Sequence, residues 1–260
     1  MKYKRILYDE IIASGQISDV LVGKIVMVIG AGSGIGQNIA VNAYKAGAKV
    51  ILVGRTINKL HETARLIKNS YVVTCDISNE IERKKILTDI ESKYNVTPNI
   101  IINCAGVRSE NDKNNNVEGV DEQEWEKTFG VNYRGNVGLV FEFERKLRNS
   151  KINGKYIAIS SIDGTKASAT PYGLSKACLN SCISDVADTL QNCILYAIAP
   201  GPTATPMMDE TMQYTYYRLD HPDLRCAVTQ DISNVAVFLC TDTCKVKKGT
   251  VIKCDGGVTL

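Results

Sequence analysis

Residues 24–55, KIVMVIGAGSGIGQNIAVNAYKAGAKVILVGR, constrain the fold more than any other stretch of the chain. Ile25 to Ile29 is a short apolar, β-branched run, the pattern of a strand buried on both faces. Gly30, Gly32, Gly34 and Gly36 follow at once, and from Gln37 the apolar positions Ile39, Ala40, Ala43 and Ala46 recur at helical spacing. Gly47 ends that helix, and Val50 to Val53 reads as a second buried strand. Strand, glycine turn and helix together build an anion site. The turn brings bare backbone close to a pyrophosphate, and the free N–H groups and dipole of the helix start face its charge. A glycine cluster alone would be weak evidence, since a tight βα turn needs no ligand. Here the strand before it and the strand after the helix supply the context of a dinucleotide fingerprint. A P-loop is excluded, because no Gly-Lys-Ser/Thr follows the glycines.

The rest of the chain repeats the same alternation. Helices are predicted from Thr56 as N-cap to about Lys68, over 79–94, as a long helix from Asp121 or Glu122 toward Asn149, over 172–190, and over 231–239. Strands are predicted over 71–75, 99–103, 156–160, 195–199 and 250–253. Residues 107–120 are polar and lack periodicity, and read as a mobile surface loop. No repeat or linker divides the chain, so the expected architecture is α/β: a single-domain Rossmann fold, a doubly wound parallel sheet of about seven strands with helices on both faces. Residues 1–22 form an N-terminal extension that either covers the core or contacts another subunit. Residues 23–260 form the domain, including a substrate lid over about 203–229 that carries Met207, Met208, Met212, Tyr214, Tyr216 and Tyr217.

Composition excludes several classes of function. A net charge of +3, evenly spread over 260 residues, argues for neither nucleic acid nor a membrane surface. No apolar run reaches the length of a span, and Ile6 to Val22 is too interrupted by acids to be a signal peptide. Nine cysteines, an odd number scattered through apolar runs, read as reduced thiols of a cytoplasmic protein. Cys178/Cys182 and Cys240/Cys244 are spaced for one helix face, but with His61 and His221 the only histidines no metal site is expected.

Ligands of such sheets lie outside the carboxyl ends of the strands. The polar residues there are the Gly30–Gly36 turn, Arg55, Asp76, Asn103, Ser160/Ser161 and the 200–205 stretch. Tyr172-Gly-Leu-Ser-Lys176 then places a phenol beside an ammonium, since positions i and i+4 share one helix face about 5–6 Å apart. A free phenol, with a pKa near ~10, is a poor base, and a neighbouring cation lowers it. Reaching about 7 takes roughly 4 kcal/mol.

With these motifs in hand, the chain resembles the short-chain dehydrogenase/reductase family from about Gly23 to its end. The resemblance rests on Gly30-x-x-x-Gly34-x-Gly36, Asn103-Cys-Ala-Gly106, Val131-Asn132-Tyr133, Ser160-Ser161, Tyr172-x-x-x-Lys176, Pro200-Gly201 and Thr205. It implies hydride transfer between a nicotinamide cofactor and a carbonyl or secondary alcohol. Tyr172 gives or takes the proton, and Lys176 holds the nicotinamide ribose and depresses the Tyr pKa. Ser161 binds the substrate oxygen, preferred to Ser160 because Ile-Asp-Gly follows it, and Asn132 holds a proton-relay water and also caps a break in the long helix. It further implies that Gly30, Gly32, Ser33, Gly34, Ile35, Asn103, Ala105, Gly106, Gly201 and the Tyr172/Lys176 pair line the cofactor. Asp76 and Ile77 border its adenine, and Pro200, Thr203 and Thr205 meet the nicotinamide amide. Ile29 and Cys104 depart from the family's usual Thr and Asn, and the spacing from Ser161 to Tyr172 is short for the family. An acid at the end of the second strand would select NAD(H); Gly54-Arg55 stands there instead, which favours NADP(H). The family also implies a homo-oligomer, a tetramer or dimer, packed through helices 121–149 and 172–190. Two rival readings are a nucleotide-sugar epimerase or dehydratase, and a non-catalytic protein that senses the dinucleotide.

Overall fold

The structure, a computed structural model, describes residues 19–113, 117–208 and 221–259. Seven strands form one parallel sheet in the order β3-β2-β1-β4-β5-β6-β7. They are β1 Ile25–Ile29, β2 Lys49–Gly54, β3 Tyr71–Thr74, β4 Ile100–Asn103, β5 Gly154–Ile159, β6 Cys193–Pro200 and β7 Val251–Cys254. The chain winds outward from β1 to β3, then returns to place β4 against β1's other edge, with Ile29 opposite Asn103. That reversal opens a crevice at the carboxyl ends of β1 and β4.

Alternate residues of each strand feed opposite layers, so both must be apolar. Val26, Val28, Leu52, Ile102 and Ile198 pack with α1 (Gly34–Lys45) and α8 (Thr229–Cys240). Met27, Ile29, Ile51, Ile101 and Ala197 face the other way, toward α3 (Glu80–Tyr94), α6 (Asn136–Ser150) and α7 (Pro171–Val186). The short α2 (Ile57–Ala64) follows β2. It stops before the expected Lys68, and Thr56, although at the N-cap, makes no capping bond. Other caps are chemically explicit. Asn79 Oδ1 accepts from Ile81 N at 3.0 Å, and Thr170 Oγ1 accepts from Gly173 N at 3.2 Å with Pro171 opening the helix.

Two expectations are refined. The long helix after residue 120 breaks at Asn132 into two helices, α5 (Glu122–Phe129) and α6, joined by a π-helical turn over Gly130–Gly135. Such a turn is intrinsically poor and survives where side chains hold it. The buried carboxamide of Asn132, inside this turn, makes three hydrogen bonds. Residues 107–120 are not merely a polar surface loop: Glu110–Lys113 forms a helical turn, α4, whose Asp112 is fully buried. The N-terminal extension up to residue 18, and Met212, Tyr214, Tyr216 and Tyr217 of the expected lid, lie outside the described residues.

Candidate active site

The crevice is a cleft of about 1370 Å³, larger than the several hundred Å³ typical of small-molecule pockets. Its floor is the glycine turn, Gly30 and Gly32 to Gly36, leading into the N-terminus of α1. One end is walled by Arg55, Lys59, Asp76 and Ile77. Ala105, Gly106 and Pro200 to Thr203 with Thr205 border the middle, Ser161, Tyr172 and Lys176 stand toward the other end with Arg108, and Lys166, Met207, Met208 and His221 also line the cleft. Strand, turn and helix positions far apart in sequence thus meet as the strand-end rule expects.

Lys176 and Tyr172 project from the first turns of α7 into the cleft. Lys176 Nζ, almost wholly buried, donates to Ile159 O at 2.8 Å and lies 5.7 Å from the centre of the Tyr172 ring. Burial pushes the Lys176 ammonium down to about 8. The phenol of Tyr172 is not depressed in the protein alone. Burial raises it above its usual value, and the hydroxyl of Ser161 and the Arg108 guanidinium only partly offset this. Ser161 also accepts from Asp163 N at 3.1 Å through Oγ, whereas Ser160 Oγ is turned toward Lys176 O, 3.5 Å away.

Two expected positions do not open into the cleft. Asn103 was expected against the cofactor, but its carboxamide is buried below the surface: Nδ2 donates to Tyr156 Oη at 2.8 Å, and Oδ1 accepts from Ala105 N at 3.0 Å. Asn132 is also fully buried. Its Oδ1 accepts from Val107 N at 2.8 Å, and its Nδ2 donates to Val107 O at 2.9 Å and to Ser175 Oγ at 3.1 Å. It ties the end of β4 to α7. A methyl group placed on Gly106 would lie 3.5 Å from both Asn132 Oδ1 and Lys176 Nζ, so bare backbone is exposed just where the two meet.

Sequence reading missed four of the charged groups here. Arg108 lies with its guanidinium carbon 5.1 Å from the Tyr172 ring centre, closer than Lys176, and is flanked by Asp112 at 3.5 Å and Asp163 at 3.9 Å. Asp112 Oδ2 accepts from Tyr172 N at 2.7 Å, placing a carboxylate on the N-terminus of α7. Lys59 and Lys166 complete the cleft's cations. The strand-end rule, extended two residues past Gly106, reaches Arg108, and the i,i+4 spacing from Arg108 reaches Asp112. Asp112→Ala is expected to lower stability by about 1–3 kcal/mol, because it removes one of the two carboxylates beside the half-buried Arg108 and takes a buried acceptor from a helix start. Urea unfolding measures this; a loss below about 0.5 kcal/mol would show that Asp112 is not a structural tie.

A doubly wound parallel sheet with a glycine turn at its switch point and a Ser-Tyr-Lys cluster at the mouth defines a Rossmann-type redox scaffold. The family model described as enoyl-(acyl carrier protein) reductase matches residues 30–259. (3R)-3-hydroxyacyl-CoA dehydrogenase of Homo sapiens is 24% identical over 264 residues, covering 95% of this chain and all (100%) of that protein. NADP-dependent (R)-specific alcohol dehydrogenase of Lentilactobacillus kefiri is 27% identical over 259 residues, covering 94% and 99%. A crystal structure of a candidate short-chain alcohol dehydrogenase from Sinorhizobium meliloti 1021 superposes with a TM-score of 0.79 at 28% identity, covering 92% of this chain and 97% of that one. The chain belongs to the short-chain dehydrogenase/reductase family and is an oxidoreductase of that type. No helix among the described residues is long and apolar enough to cross a membrane.

Proposed function

We propose that the protein is an NADP(H)-dependent carbonyl reductase or alcohol dehydrogenase. The observation that carries this reading is the meeting of Ser161, Tyr172 and Lys176 with the glycine turn in one cleft. The cleft suits a dinucleotide: the start of α1 offers free N–H groups and the positive end of its dipole, and Gly106 presents backbone with no side chain in the way. When bound, the nicotinamide supplies or accepts the hydride.

The chain's own groups would do the rest. The turn from Gly30 through Gly32, Ser33, Gly34 and Ile35 holds the pyrophosphate, with Asp76 and Ile77 beside the adenine. Ala105, Gly106, Pro200, Gly201, Thr203 and Thr205 frame the nicotinamide half. Lys176, charged below about 8, lies within reach of the ribose hydroxyls. In reduction Tyr172 gives its proton to the carbonyl oxygen, and the Ser161 hydroxyl donates a hydrogen bond to that same oxygen as negative charge develops. Burial favours this direction of proton flow, because it keeps the phenol protonated in the resting protein. Asn132 holds the end of β4 against α7 and so positions Lys176.

Arg55 and Lys59 support NADP(H). Arg55 is largely exposed, and its 3.7 Å ion pair with Asp76 is a surface contact that costs little to exchange for a phosphate. Fluorescence titration is expected to show NADPH binding at least about tenfold tighter than NADH, with Arg55→Ala removing most of the difference. Equal affinities would overturn the phosphate assignment. NADPH oxidation, followed by absorbance across a panel of ketones, aldehydes and oxoacyl thioesters, tests the activity itself; no turnover with any member would refute it.

A further inference from the structure

Among the described residues that line the cleft, the basic and acidic side chains near Tyr172 are occupied with one another. Lys166 Nζ is 2.8 Å from Asp163, and Arg108 lies between Asp112 and Asp163. His221 is the exception. It is 5% exposed, it lines the cleft, and neither ring nitrogen has a hydrogen-bond partner in the protein. Arg108 Nε makes no hydrogen bond either, but its guanidinium is ion-paired, whereas the His221 ring has neither kind of partner among the described residues. The backbone of His221 is well anchored. His221 O accepts from Leu224 N at 2.8 Å, and the segment it opens returns to the strand ends, where Ala227 N donates to Pro202 O at 2.9 Å and Ala204 N to Ala227 O at 2.9 Å. The imidazole is therefore held at the cleft wall by fixed backbone. Buried polar groups without partners are few in folded proteins, and those that persist at a binding wall commonly meet the ligand.

From this we infer that His221 is a specificity-determining residue that hydrogen-bonds a second oxygen function on the substrate, beyond the carbonyl facing Tyr172 and Ser161. The substrate class is a carbonyl compound bearing a hydroxyl or a further carbonyl oxygen near the reacting carbon, rather than a plain hydrocarbon ketone. An imidazole suits either group, because one ring nitrogen donates and the other accepts. Arg108 and Lys166 do not compete for the role, since their charges are already answered by Asp112 and Asp163. The inference rests on the proposed carbonyl chemistry for its kinetic reading, but its binding reading is separate.

The test compares matched ketones in the whole protein with NADPH: hydroxyacetone against butanone, and ethyl acetoacetate against methyl hexyl ketone. Each pair is equal in heavy atoms and differs in the extra oxygen, a hydroxyl in the first pair and the two oxygens of an ester in the second. Wild type is expected to favour the oxygenated member of at least one pair by about 10- to 100-fold in kcat/KM. His221→Phe, which keeps a ring and removes both polar nitrogens, is expected to reduce that ratio at least about tenfold, and His221→Gln, which keeps a donor and an acceptor, to restore part of it. No preference in wild type, or a preference that His221→Phe leaves intact, overturns the inference; in the latter case solvent, not substrate, completes the imidazole. If no ketone is turned over, the proposed function fails and saturation-transfer NMR with the same four compounds decides the inference alone. Binding of an oxygenated member that is lost in His221→Phe supports the site, and equal binding by the two proteins overturns it.

Discussion

Replacing Tyr172 by Phe is expected to lower turnover of every carbonyl substrate by about a thousandfold or more, while NADPH affinity changes less than about threefold. The substitution removes one hydroxyl and little else. The ring that faces Arg108 at 5.1 Å and Lys176 at 5.7 Å remains, and the bond to Asp112 uses the backbone N–H of residue 172. A lost rate therefore reports the missing proton and not a displaced helix. The protonation pattern makes the assignment specific. The Ser161 hydroxyl and the Arg108 guanidinium favour the phenolate, yet burial outweighs them and holds the proton on, while burial also brings Lys176 down to about 8. A protonated phenol beside a charged ammonium is the arrangement for donating to a carbonyl oxygen. Steady-state NADPH oxidation and a fluorescence titration of the cofactor, run on both proteins, settle the point. Turnover within about tenfold of wild type would remove Tyr172 from the chemistry.

The second large effect is structural. Gly36→Ala is expected to cost about 3 kcal/mol or more of stability, or to prevent folding, and to abolish cofactor binding in whatever folds. A Cβ at position 36 would lie 2.2 Å from Gly30 O and 2.8 Å from Gly30 C, with Cys104 Cβ at 3.2 Å on another side. Two of these three atoms are backbone, so no rotamer change relieves the clash. Either the glycine turn opens or the start of α1 lifts from β1, and each destroys the row of N–H groups that faces the cleft. Thermal unfolding with and without NADPH measures both consequences. A variant as stable as wild type would mean that the close approach of turn and helix is not needed.

The two variants probe features of different legibility. The glycine turn and the Tyr172-x-x-x-Lys176 pair were readable because both depend on neighbours within a few residues: a βα turn demands glycine where backbone meets backbone, and a helix period places i and i+4 together. The seven strands were readable for a like reason, since a strand buried on both faces is a run of apolar residues. Element ends were less legible. Asn132 signalled a break in the helix over 121–149, but not that the break is a π turn, whose Asn132 is bonded to Val107, 25 residues away. Asp112 sits in a stretch of polar composition, and its local pairing with Arg108 does not reveal its burial against Tyr172, 60 residues on.

By itself, the sequence determined the alternation of strands and helices, the parallel sheet, the anion-binding turn and the residue types at the strand ends, because each is written in local periodicity and spacing. Only the tertiary structure decided the electrostatics of the site. It brought Arg108 onto the Tyr172 ring, turned Asn103 into the interior, left the His221 imidazole without a partner at the cleft wall, and raised rather than lowered the phenol. The physical reason is that desolvation and long-range pairing depend on which groups surround an atom in space, and chain-distant residues supply most of those groups.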